Sequence, residues 1–260
     1  MMKPLMRKNA SGFTLIELIT VIIILGVLAT AISTFIKFGT QIYTETTARD
    51  QLVSSARFAI ERLNRDIRNA LPNSLRLTDS GECLEFTPII ESTIYTEIPV
   101  APESYTNEIR VIRFDEPFDS NSSNWNAIVY PLTPNDVYPA SSSNDDKIHG
   151  IDSINEVGNE WVITLDESVR FAEDSPTQRI YFINANRSET VRYCLFGETL
   201  TRNGTLMAED IHNLGPPFVP PFEVLAATLQ RNAMVQIRFL FEKNNEEVTF
   251  NNEIQVLNVP

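Results

Sequence analysis

The spacing of hydrophobic and polar residues changes twice along the chain. From Leu18 to Ile36 there is no charge and no proline, and Ile, Val and Leu dominate. Nothing in the run supplies a polar face, so it predicts a helix inserted in a membrane. At 1.5 Å per residue it spans roughly 28 Å, close to a bilayer core. From Ile42 the pattern turns amphipathic: Leu52, Ala56, Ala59, Leu63, Ile67 and Ala70 recur at spacings of three and four, widened by Val53, Ile60 and Leu71. Charges fill the opposite face, with Arg57–Glu61, Glu61–Arg65 and Arg62–Asp66 at i,i+4. No proline lies between Pro4 and Pro72. One helix is therefore predicted from Phe13 to about Ala70, roughly 87 Å long. Its second stripe is short and alanine-rich, which favours packing on its own domain over a two-stranded coiled coil.

Beyond Leu71 the period shortens. Strands are predicted at 83–87, 108–114, 127–130, 160–165, 179–184, 190–196 and 253–259. The clearest is 233–242, where Val235, Ile237, Phe239 and Phe241 alternate with Gln236, Arg238 and Leu240. Asn203-Gly204 between 199–202 and 205–208 predicts a hairpin, because a type I′ turn needs positive φ at both central residues. Residues 117–150, rich in Asn, Ser, Asp and Pro, predict a long surface loop with one short strand inside it, and 215–221 a stiff connector. Fourteen of the 15 prolines follow residue 71, which argues against further long helices. The expected class is α+β: a long N-terminal helix, its first half transmembrane, packed on an antiparallel β-sheet domain.

Charge adds direction. The chain of 260 residues has 21 Lys and Arg against 34 Asp and Glu, a net −13, which excludes a nucleic-acid binder relying on an overall basic surface. Yet Lys3, Arg7 and Lys8 fall in the first twelve residues, where no acid occurs. A basic start before an apolar run implies a cytoplasmic N-terminus and an exported remainder. Glu17 does not suit a plain anchor. A carboxylate in a membrane segment costs a few kcal/mol, so it points to a function unless it sits at the interface and reaches water.

Ser11-Gly12-Phe13-Thr14-Leu15-Ile16-Glu17-Leu18, behind the basic leader, resembles the prepilin signature of type IV pilins and type II secretion pseudopilins. The resemblance implies a pilin-like fold. It also implies cleavage between Gly12 and Phe13 by a membrane-embedded prepilin peptidase, N-methylation of Phe13, and a Glu17 that neutralises the Phe13 amine of a neighbouring subunit. A buried charge is tolerable when paired and costly when alone; the chain's own amine, four residues away, competes for Glu17. The β-rich region resembles large minor pilins, especially the J-type pseudopilin and minor pilin O of the MSHA (mannose-sensitive haemagglutinin) pilus. Residues 191–196 with the Asn203-Gly204 hairpin, and the closing 254–260, carry that likeness. They fit the MSHA protein best.

The resemblance divides the chain into a leader (1–12), a transmembrane and assembly helix (13–38), its amphipathic continuation (39–71) and a periplasmic β-rich domain (72–260). It implies a low-copy structural protein rather than an enzyme, held in the bacterial inner membrane and later in the pilus. Its partners would be the prepilin peptidase, other minor and major pilins, the inner-membrane assembly platform and the lipid bilayer. The bulk of the 72–260 region suggests a tip or initiation role, and pilus function adds an expectation of cell adhesion. A J-type pseudopilin is the alternative. A further one is ordinary secretion with a cut after Ala29-Thr30-Ala31, releasing a soluble binding domain or enzyme from Ile32.

Few other residues suggest chemistry. Cys83 and Cys194 are the sole cysteines, both in predicted strands of an exported region, so they form a disulfide or two buried thiols. His149 and His212 lack helical partners and predict neither catalysis nor metal binding. No nucleophile-elbow, zinc or P-loop motif occurs. Asp145-Asp146 lacks the alternating oxygens of a calcium loop. No cofactor or metal is expected, and the Asn-X-Ser/Thr matches at Asn121, Asn186 and Asn203 read as coincidence.

Overall fold

The computed structural model describes residues 13–113, 124–139, 147–186, 189–213, 218–226, 232–244 and 246–256. Two compact units divide the chain, Met1–Asp50 and Gln51–Pro260. Helix α1, Leu15–Arg68, contributes to both.

In the first unit the side chains of α1 face outward almost throughout. Every Ser and Thr hydroxyl from Thr20 to Thr44 turns back onto the helix's own backbone: Thr20, Thr30, Thr40 and Thr44 onto the carbonyl three residues earlier, Ser33 and Thr34 onto that four earlier, at 2.8–3.0 Å. A hydroxyl satisfied in this way presents no unpaired donor to hydrocarbon.

In the second unit the stripe of α1 is buried: Leu52, Ala56, Ala59, Leu63 and Ile67 are at most 2% exposed. It packs against two antiparallel sheets. One is ordered β1-β2-β9-β10-β11, from Arg76–Thr78, Cys83–Phe86, Val191–Phe196, Thr199–Arg202 and Thr205–Ala208. The other is ordered β12-β13-β14, from Phe222–Leu225, Ala233–Lys243 and Glu246–Val256. Val235, Ile237, Phe239 and Phe241 point into this core, where Phe239 meets both Phe222 and Phe241 edge to face. Asn203 (φ 48°) and Gly204 (φ 79°) make the β10–β11 turn, both on the left-handed side that Asn and Gly tolerate.

Asp66 ties the helix to the first sheet. Its carboxylate accepts from Tyr193 Oη at 2.9 Å and Arg202 Nε at 2.6 Å, with Arg62 Nε at 3.3 Å. Asn252 Nδ2 donates to Asn64 Oδ1 at 2.9 Å and ties β14 to the same helix. The helix ends where Asn69 and Ala70 amides tighten onto the carbonyls of Asp66 and Ile67, just before Leu71-Pro72.

Between β2 and β9 the chain builds a closed six-stranded barrel, order β3-β4-β7-β6-β5-β8. Its strands are β3 Glu91–Glu97, β4 Thr106–Ile112, β5 Trp125–Val129, β6 Ile148–Val157, β7 Glu160–Val169 and β8 Arg179–Asn184. Every pairing is antiparallel. Ile109, Val111, Ala127, Val129, Trp161, Ile163, Leu165, Ile180 and Phe182 fill the interior, so it is a packed core and not a pore. Strands β5 and β8 bury their outer faces too. Ile128, Tyr181 and Ile183 pack with Leu71 and with Val137 of the short helix α2, Pro134–Val137.

Three sequence expectations change. The helix begins two residues later than Phe13 and ends two before Ala70. Residues 117–150 are not one surface loop. Their described part holds β5, the buried Val137 and the start of β6, because the polar residues of this stretch lie beside short apolar anchors. The last strand starts at Glu246 rather than Glu253 and pairs with the whole of β13, from Lys243↔Glu246 to Ala233↔Val256; residues 257–260 lie outside the described residues. The antiparallel sheets behind a long helix give an α+β layout, with a barrel that the sequence reading did not resolve.

Candidate functional site

The N-terminal segment carries the residues that the sequence singled out. Gly12 lies outside the described residues. Phe13 is 75% exposed, and Phe13 and Thr14 precede the helix. The first intrahelical bond there runs from Leu18 N to Thr14 O at 3.2 Å. Glu17 sits in the first turn, exposed, where a negative charge meets the positive end of the helix dipole. Among the described residues, α1 alone is long and apolar enough to cross a membrane. Its exposed apolar residues, from Leu15 through Phe38, form a sleeve whose stability in water is poor and in lipid or among other helices is high. Ala29-Thr30-Ala31 falls inside this helix.

This arrangement offers a hydrolysable peptide bond ahead of a helix, a bulky apolar residue as the new terminus, and one carboxylate a turn later. Residues 7–33 match the family model of the prokaryotic N-terminal methylation motif. No curated protein and no solved structure matches the chain. The motif supports a type IV pilin-like or pseudopilin protein, and it implies processing by a prepilin peptidase and association with other pilins. Motif and apolar helix together fit an inner-membrane anchor.

The structure also places the other candidates. Cys83 and Cys194 stand directly opposite each other on β2 and β9 and are joined by a disulfide. Asp79 lies beside them and pairs with Arg192. These three residues make the one grouping with metal-ligand spacing among the described residues, and the two sulfurs bond each other, which leaves no thiolate to bind an ion. His149 is buried in β6 against the Phe171 ring, centroids 5.3 Å apart, whereas His212, partly exposed, lies 3.6 Å from the exposed Glu198. They share no site. Asp145 and Asp146 fall outside the described residues, as does Asn121.

The side chains with displaced titration are structural. Burial, reinforced by Asp66, pushes the Tyr193 phenol well up; burial, reinforced by Asp174, does the same for Tyr95. Both stay neutral donors near neutral pH. Burial raises Tyr138 to about 12, partly offset by the Thr87 hydroxyl that donates to it at 3.0 Å. The Arg76 guanidinium stacks 3.7 Å above the same ring.

Sequence reasoning missed the Asp66–Tyr193–Arg202 cluster. Asp66 was visible as one charge on the polar side of α1, but its partners lie 127 and 136 residues away. The β6–β7 hairpin was findable: Gly158-Asn159 is a turn pair, and Gly158 has φ 66°.

Proposed function

We propose that this chain is a minor pilin-like structural protein and not an enzyme. It is made as an inner-membrane prepilin, cut between Gly12 and Phe13, methylated on Phe13 and incorporated at low copy into a type IV pilus. The observation that carries the reading is the order of parts: basic leader, Gly12-Phe13, Glu17 one turn on, and an exposed apolar helix half whose hydroxyls from Thr20 to Thr44 bond its own backbone. Lys3, Arg7 and Lys8 keep the leader cytoplasmic, so residues from about 39 onward are periplasmic. The likeness of 191–196 and 254–260 to minor pilin O favours an MSHA-type pilus. The bulk of the exported region favours the tip or an initiating complex, since a large head crowds a repeated lattice.

Co-expression with a prepilin peptidase tests it. Residues 1–12 should be removed, and Gly12→Leu should block the cut by filling the space that glycine leaves in the protease cleft. A chain that the peptidase leaves whole, or a mature chain that begins at Ile32, contradicts the reading.

A further inference from the structure

Residues 89–186 leave the helix-and-sheet body from the end of one strand and return to the start of its immediate neighbour. Strands β2 and β9 pair from Cys83↔Cys194 to Phe86↔Val191, and the whole barrel hangs from that pair. The two cores do not mix among the described residues. The buried cluster beneath α1 draws on residues before 87 and after 190, and the barrel's buried cluster on residues from Tyr95 to Phe182. Contacts that join them include a small cluster of Leu71 with Ile128, Val137, Tyr181 and Ile183, the Arg76 and Thr87 contacts to Tyr138, an Asn73 Nδ2 bond to Pro131 O at 2.8 Å, and two bonds between Asn69 and Ile89, Ile89 N to Asn69 O at 2.9 Å and Asn69 Nδ2 to Ile89 O at 3.0 Å.

Charge separates the same two parts independently. Residues 89–186 contain 17 Asp and Glu against five Lys and Arg. That is −12 of the chain's −13, and the remainder, leader included, is nearly neutral at −1. The neck is also self-sufficient. The disulfide closes it from the body side, and Asn203 braces β9 by accepting from Arg192 N at 2.7 Å and donating to Thr190 O at 3.0 Å.

We propose that residues 89–186 are an independently folding acidic module, carried by the helix-and-sheet body and not needed for that body to fold, oxidise or be processed. Assembly then belongs to the helix and the two sheets, and surface contact to the barrel. At −12 such a module repels nucleic acid and other polyanions, so a partner that docks on it presents basic groups.

Hydrogen exchange on the full-length chain in detergent tests the folding claim. Ile163→Ala, in the barrel core, should speed exchange in 91–184 and leave 233–256 unchanged. Val235→Ala, in the other core, should do the reverse. Loss of protection in both regions with either variant overturns the proposal. A second variant replaces residues 89–186 with Asn-Gly and adds Leu71→Ser, because Leu71 loses its cover. Its Cys83–Cys194 bond should still form, read as a mobility change on reduction, and the prepilin peptidase should cut it as it cuts wild type. An excised chain that stays reduced, or that resists a peptidase able to cut wild type, overturns the module. Wild type itself escaping the peptidase counts instead against the pilin-like reading.

Discussion

Glu17 and Asp66 are carboxylates on the same helix with opposite surroundings. Glu17 is exposed in the first turn, in a stretch that the account places at the membrane; Asp66 is 10% exposed and holds Tyr193 and Arg202. Each makes a separate prediction. Glu17→Gln keeps size and removes charge, so processed protein should accumulate in the inner membrane and be missing from sheared filaments; incorporation at the wild-type level contradicts the pairing role. Asp66→Ala strands a half-buried guanidinium and a phenol, which should cost about 2–3 kcal/mol. Urea unfolding reads this, and Tyr193→Phe should cost only about 1 kcal/mol, since it removes one neutral donor. Glu17 was legible in the sequence because its neighbours are apolar and local. Asp66 was not, because nothing within a helical turn distinguishes it from Glu61 or Asp50.

At the scale of elements, what the sequence made legible follows from range. The helix, its buried stripe and the Asn203-Gly204 turn rest on residues close in sequence, and the structure shows each within two residues of the reading. The β8 strand was plain for a related reason: Ile180, Tyr181, Phe182 and Ile183 form an unbroken apolar run because both of its faces are covered. Strand β3, Glu-Ser-Thr-Ile-Tyr-Thr-Glu, hid because only Tyr95 is fully buried. Barrel closure between β3 and β8 depends on pairings about ninety residues apart, which no local pattern records. That two cysteines sit in strands was readable; the register that sets them face to face was not.

The disulfide closes a loop of 111 residues, for which chain entropy gives up to about 4.7 kcal/mol. Cys83→Ser with Cys194→Ser should lower the urea midpoint by a large part of that, and in the native oxidised protein neither sulfur should react with an alkylating reagent before reduction. The joint between the cores also responds to alkali. Tyr138 has a folded-state value raised to about 12 from the usual 10, so its contribution is complete below about pH 10 and fades as pH rises towards 12. Wild type should therefore lose stability between those values, and Tyr138→Phe should flatten that part of the profile in pH-dependent thermal unfolding.

For the whole molecule, the distribution of charge and apolar surface assigns the parts their tasks. The basic leader and the apolar sleeve fit a membrane anchor, the helix stripe and two sheets form a folded body, and −12 of the net charge of −13 falls on residues 89–186, which carry the barrel. The detergent-solubilised chain should fail to retard duplex DNA at roughly 0.15 M salt, where surface charge still acts over about 8 Å; a clear shift contradicts the charge argument. The central claim is that this is a processed, filament-borne pilin-like subunit. Mass spectrometry of sheared surface filaments, reading the N-terminal peptide of this chain, tests it most directly. The account predicts a peptide that begins at N-methylated Phe13. A peptide that begins at Met1 or at Ile32, or an unmethylated soluble form found only in the periplasm, contradicts it.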